Sequence, residues 1–110
     1  MKYNTQYNYL LIENKYSSVM AGTSKVTMLE EAHAIKVLLI LLREGPTRKT
    51  NLYSFIGSNT SPIQKRLDEF EKLGLVTIEP DPKHHSAFIV QLTPKGKRVA
   101  EKLVEVDEII

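Results

Sequence analysis

LYSFIGSNTSPIQKRLDEFEKLGLV, residues Leu52 to Val76, holds two short helical patterns separated by a break. Leu52, Phe55 and Ile56 share one side of a first segment that begins near Lys49, and Gly57, Ser58 and Asn59 interrupt it. A second helix is expected over 61–73. Ser61 is suited to the N-cap, Pro62 to the first turn, where its missing amide needs no partner, and Gln64 to the reciprocal capping position. Ile63, Leu67 and Phe70 recur at steps of four and three and predict the buried side of that helix, with Gly74 as its stop.

Upstream, Thr27 followed by Glu30 has the spacing of a capping box and predicts a helix from about Met28 to Arg43. Ala32, Ile35, Leu39 and Leu42 form one stripe, while Val37, Leu38, Ile40 and Leu41 widen the apolar surface, so this helix should be covered on several sides. His33 is read as a partly buried packing residue within it, and Gly45 and Pro46 end it. Residues 1–26 are polar and tyrosine-rich. Tyr9, Ile12 and Tyr16 nevertheless recur at helical spacing, which predicts an N-terminal arm or amphipathic docking helix ahead of a domain over 27–110.

Downstream, Leu75 to Glu79 and Ser86 to Leu92 are short and rich in β-formers. Pro80 to His84 between them suggests a hairpin with an extended tip. Thr93 and Pro94 then open a terminal helix, down one side of which run Val99, Leu103, Val106 and Ile110. The expected order is helix, helix, helix, hairpin, helix.

Composition narrows what such a chain can do. Its 110 residues suit one domain with some spare length, and 42% apolar with 25% charged residues is ordinary for a globular protein. Without cysteine, disulfides and thiolate chemistry are excluded, a metal site has only three histidines and carboxylates to draw on, and a cytoplasmic setting is expected. The longest apolar run, Val37 to Leu42, is far too short for a bilayer, and the polar start has no secretory signal core. No phosphate-cradling loop, metalloprotease helix or redox motif occurs, so neither an enzyme nor a cofactor is expected. The net charge of +2 says little, but five basic residues between Arg43 and Arg66 face a single acid, Glu44. Leu67 to Glu79 then holds four acids and one lysine, so one side of the domain is expected to be basic while the helix leading away from it is not.

The stretch from Leu52 to Val76, together with VQLTPKGKRVAEKL from Val90 to Leu103, resembles the winged helix-turn-helix regulators of the MarR, ArsR and PadR type. Leu52, Ile56, Ile63 and Leu67 match the apolar positions of the family's two-helix unit, Gly57 its turn, and Lys72 to Val76 its passage into the wing. Ser58 departs from the pattern, which commonly has an apolar residue after the turn glycine. The resemblance implies an α+β winged helix-turn-helix fold, mainly helical, with a two-stranded β-hairpin wing and flanking N- and C-terminal helices. It also implies a dimeric transcription factor, with repression as the family-weighted mode of action.

With Ile63, Leu67 and Phe70 inward, Ser61, Pro62, Gln64 and Lys65 are the candidates for reading bases, since a helix of this size fits a major groove. Arg48, Lys49, Thr50, Asn59, Thr60 and Arg66 are the candidates for gripping the DNA backbone, and Lys83, His84 and His85 for a wing contact. Leu52 and Ile56 join the three inward residues as core support. Tyr9, Ile12, Tyr16, Val99, Leu103, Val106 and Ile110 are the candidate dimer interface. The expected partner is double-stranded DNA, as a palindromic operator read by a homodimer. A small-molecule effector could act at the subunit interface, but no pocket for it is assignable from sequence. The alternative is a non-catalytic winged domain that docks proteins in a transcription or chromosome-associated assembly.

Overall fold

The computed structural model describes residues 24–57 and 60–110, and contacts divide the chain into two units, Met1–Glu31 and Ala32–Ile110. In the first unit the described residues form a 3-10 helix, Lys25–Glu30. Here the expected capping box fails. Thr27 Oγ1 donates to Ser24 O at 2.7 Å instead of accepting an amide, and Glu31 closes a short turn by donating to Met28 O. The continuous helix expected from Met28 is therefore cut. Tyr9, Ile12 and Tyr16 lie outside the described residues.

The second unit begins its regular structure at α1, Ala34–Glu44. His33 stands just ahead of it rather than inside it, half-buried, with a left-handed φ of 67°. Ala34, Val37, Leu38, Ile40 and Leu41 are buried. In the expected stripe, by contrast, Ala32 and Ile35 are exposed and Leu39 and Leu42 half-buried, so the core-facing side is the one expected only to widen the apolar surface. The helix packs against the later helices and the central strand. Each of the buried Val37, Leu38, Ile40 and Leu41 side chains stabilises the fold by about 2 kcal/mol through removal from water.

After Gly45 and Pro46 comes β1, Thr47–Arg48, a strand that the residue pattern did not reveal. Helices α2, Lys49–Ile56, and α3, Thr60–Lys72, follow, then β2, Val76–Asp81, β3, His84–Leu92, and α4, Pro94–Ile109. The three strands form one antiparallel sheet in the order β1-β3-β2. The expected two-stranded wing is thus tied by a third strand, with Thr47 opposite Val90 and Arg48 opposite Ile89.

The end of α3 sets the wing's direction. Leu75 N–H donates to Phe70 O at 2.8 Å and Gly74 N–H to Glu71 O at 3.0 Å, the two bonds of a Schellman stop, and Gly74 takes the φ of +72° that this requires. The chain turns straight into β2 with Leu75 and Val76 buried. Thr93 then caps α4 as expected, its Oγ1 accepting from Gly96 N–H at 3.0 Å, with Pro94 in the first turn. The same hydroxyl donates to Gly74 O at 2.6 Å, so the start of α4 is fastened to the end of α3.

Two further expectations are corrected. Helix α3 starts at Thr60, which places Ser61 inside the first turn and not at the N-cap. The wing tip is tight, not extended, because strand pairing runs through Pro80 to Asp81 opposite His84 and leaves only Pro82 and Lys83 in the turn. Pro80 is tolerated on β2 because this is an edge strand, beside a register shift. Pro80 faces Phe88 while Asp81 faces His84, so His85, Ser86 and Ala87 form a bulge.

Candidate nucleic-acid interface

Ile63, Leu67 and Phe70 are fully buried, and Leu52 and Ile56 pack in the same core. This fixes α3 along one side and turns Ser61, Lys65 and Asp68 to solvent, with Pro62 and Gln64 half-buried. Arg66 does not join them. It is only 4% exposed and pairs through Nη2 with Glu69 Oε1 at 2.7 Å. Helical geometry explains the correction: Arg66 is three residues past Ile63 and four before Phe70, so it lies on their side of the helix.

The centre of the outward face is a hydrogen-bond cluster that bridges α2 and α3. Lys49 Nζ donates to Gln64 Oε1 at 2.7 Å, and Tyr53 OH donates to the same oxygen at 3.1 Å. Gln64 Nε2 donates to Asp68 Oδ1 at 2.8 Å. Gln64 is therefore held by side chains and not used as a helix cap. Burial pushes the Tyr53 phenol above its ordinary pKa, and the neighbouring Asp68 carboxylate adds to the effect. Lys49 also stands 5.3 Å from the centroid of the Phe88 ring on the wing, within cation–π reach. Tyr53, Asp68 and Phe88 were not among the expected site residues. One of the links was readable, since Gln64 and Asp68 are four apart on one helix.

Arg48 and Asp81 link the start of α2 to the wing. Arg48 Nε and Nη2 lie 2.9 Å and 2.8 Å from Asp81 Oδ2, and Asp81 Oδ1 accepts from Lys83 N–H at 2.9 Å. The Lys83 amide bond, aided by Arg48, holds the buried Asp81 carboxyl below its ordinary pKa against the opposing effect of burial. Beyond this tie Lys83, His84 and His85 are exposed, as is Thr50 at the start of α2. Thr60 lies in α3 without a described side chain, and Asn59 lies outside the described residues.

On α4, Val99 and Leu103 are half-buried, whereas Val106 is 50% exposed and Ile110, just past the helix, 96%. Ile35, Leu39 and Ile40 of α1 line an open apolar groove with Lys36 and Arg43. Among the described residues no group of three or more His, Asp or Glu side chains could hold a metal ion, and no helix is long and apolar enough to cross a membrane.

No protein-family model matches the chain, and no curated protein matches it significantly in sequence. Solved structures do match. A probable transcriptional regulator from Pseudomonas aeruginosa superposes with a TM-score of 0.64 at 24% identity, over 71% of this chain and 59% of that one. A MarR variant from E. coli complexed with operator DNA gives 0.61 at 22% identity, over 64% and 51%. Another MarR structure gives 0.67 at 22% identity, over 94% and 75%. The matched region thus spans only 59% and 51% of the first two proteins. At such identities the likeness concerns architecture, and together with the element order above it establishes that the chain has the winged helix-turn-helix fold of MarR-type regulators.

Proposed function

We propose that the chain is a sequence-specific double-stranded DNA-binding transcriptional regulator without catalytic activity, acting as a homodimeric repressor on a palindromic operator. Helix α3 enters the major groove and the tip of the wing approaches the backbone or minor groove. The observation that carries this reading is the two-sidedness of α3: Ile63, Leu67 and Phe70 are buried while Ser61 and Lys65 stand exposed. A helix fixed along one side can offer the other to base edges without losing its own packing.

Ser61, Pro62, Gln64 and Lys65 are the proposed base-reading set. Lys49, Thr50, Asn59, Thr60 and Lys83 supply backbone contacts, with His84 and His85 beside them on the wing. Arg48 keeps a share of this role, since its side chain is 41% exposed even while paired. The buried Arg66 leaves the set. Self-association draws support from the exposed apolar end of α4, Val106 and Ile110, with Tyr9, Ile12, Tyr16, Val99 and Leu103 as the remaining proposed contacts.

Selection of bound sequences from a random duplex pool at near-physiological salt tests the reading. Enrichment of a two-fold symmetric motif is expected, with affinity falling steeply as salt rises. Neither enrichment nor salt-dependent duplex binding would leave a winged domain that docks proteins. Light scattering coupled to gel filtration tests the dimer, and a monomer at tens of micromolar removes it.

A further inference from the structure

The hydrogen bonds around Gln64 dictate which way its amide points. A lysine ammonium can only donate and a carboxylate can only accept. With Lys49 Nζ at 2.7 Å and Asp68 Oδ1 at 2.8 Å on its two sides, Gln64 must turn its oxygen to the lysine and its nitrogen to the aspartate. Tyr53 OH adds a second donor to that oxygen. An amide carbonyl has two lone pairs, so Oε1 is saturated. Of the two Nε2 protons one goes to Asp68, and the other has no partner among the described residues.

This accounting determines what Gln64 can recognise. A glutamine that reads adenine in the bidentate mode must accept from the N6 amino group while donating to N7. Here the acceptor is already taken. We propose that Gln64 acts as a specificity residue with one hydrogen-bond donor only, accepting adenine, guanine or thymine on the strand it faces and rejecting cytosine, whose groove edge offers only an amino donor. Lys49 and Tyr53 impose this by holding the oxygen, and so act on sequence preference without touching a base. The inference rests on the DNA-reading role proposed above.

The test compares motifs selected from a random duplex pool by the wild type, by Gln64→Ala and by Lys49→Met/Tyr53→Phe. The position that reports Gln64 is the one where wild type depletes cytosine and Gln64→Ala does not. At that position the wild type is expected to take adenine and guanine within about twofold of each other, and the double variant to favour adenine by about tenfold. Tyr53→Phe alone, which loses one oxygen and keeps the ring, frees one lone pair and should shift the preference the same way by a smaller factor. It provides the reading if the double variant does not fold by circular dichroism. A wild-type preference for adenine that Gln64→Ala abolishes overturns the proposal, as does an unchanged profile in Tyr53→Phe. If wild type enriches no motif at all, the DNA-reading role itself falls, a result distinct from either.

Discussion

Arg48 and Asp81, 33 positions apart, form a hydrogen-bonded ion pair that ties β1, at the N-cap of α2, to the tip of the wing. Asp81 is also the acceptor for Lys83 N–H, so one carboxylate organises both the tether and the turn. Because these bonds favour its ionised form, its folded pKa lies below the unfolded value near 3.8. Their contribution is therefore fully present above that value and disappears as pH falls through the folded pKa. Asp81→Asn is expected to lower the melting temperature at neutral pH, with the difference from wild type closing only below pH 3.8. Thermal melts from pH 7 to pH 2 check it. A gap that persists unchanged at the acid end would mean the pair contributes through shape and not charge.

Gly96 sits against the Gly74 corner that joins α3 to β2. A β-carbon placed on Gly96 would fall 1.9 Å from Leu75 O, the oxygen that also accepts from Thr93 N–H. That neighbour is backbone, held on both sides, and has nowhere to go. Gly96→Ala is expected to destabilise the fold by at least about 3 kcal/mol, the upper range for overpacking, measured by urea unfolding. Gly96→Ala folding as stably as wild type would show that the corner between α3 and α4 is not closely packed.

Phe70 plays the complementary role on the other side of the same corner. Its ring is fully buried and its carbonyl accepts Leu75 N–H, so it both fills the core and anchors the helix stop. Phe70→Ala removes only the ring and should cost about 3–5 kcal/mol. Phe70→Leu, which keeps most of the volume, should cost about half of that. Equal losses in the two variants, read from denaturant midpoints, would contradict the packing argument.

What was legible in the sequence follows from how local each signal is. Ile63, Leu67 and Phe70 announce their side of α3 by period alone, and Thr93 with Pro94 announces α4, because these patterns need no distant partner. Strand β1 is two residues long and exists because Val90 and Ile89 lie opposite, a relationship that no local pattern carries. The tight wing tip escapes local pattern for a similar reason. Pro80 and Asp81 look like loop residues, yet the Arg48 tie and the edge position of β2 keep them paired. At the site, Gln64 and Lys65 were recognisable as outward positions. That Gln64 is gripped by Lys49 and Tyr53 depends on how α2 meets α3, which periodicity within either helix does not specify.

Lys65 and Arg66 are adjacent in sequence and opposite in consequence. Lys65 is exposed on the outward face of α3, whereas Arg66 is buried beside Ile63 and Phe70 with its charge against Glu69. If α3 enters DNA, Lys65→Ala removes a positive charge from the groove-facing side, along with a proposed base contact, while leaving the fold intact. The salt dependence of duplex affinity, plotted as log K against log salt, should then lose about one unit of slope, and the melting temperature should stay close to wild type. Arg66→Ala should do the reverse. It leaves Glu69 without its partner and opens a gap at the core, so stability falls by roughly 1–3 kcal/mol. Below the transition the salt slope should stay that of the wild type. Titrations of one duplex at several salt concentrations, paired with thermal melts of both variants, separate the two effects. Lys65→Ala leaving the slope untouched, or Arg66→Ala changing it without loss of stability, would reverse the assignment of these two side chains.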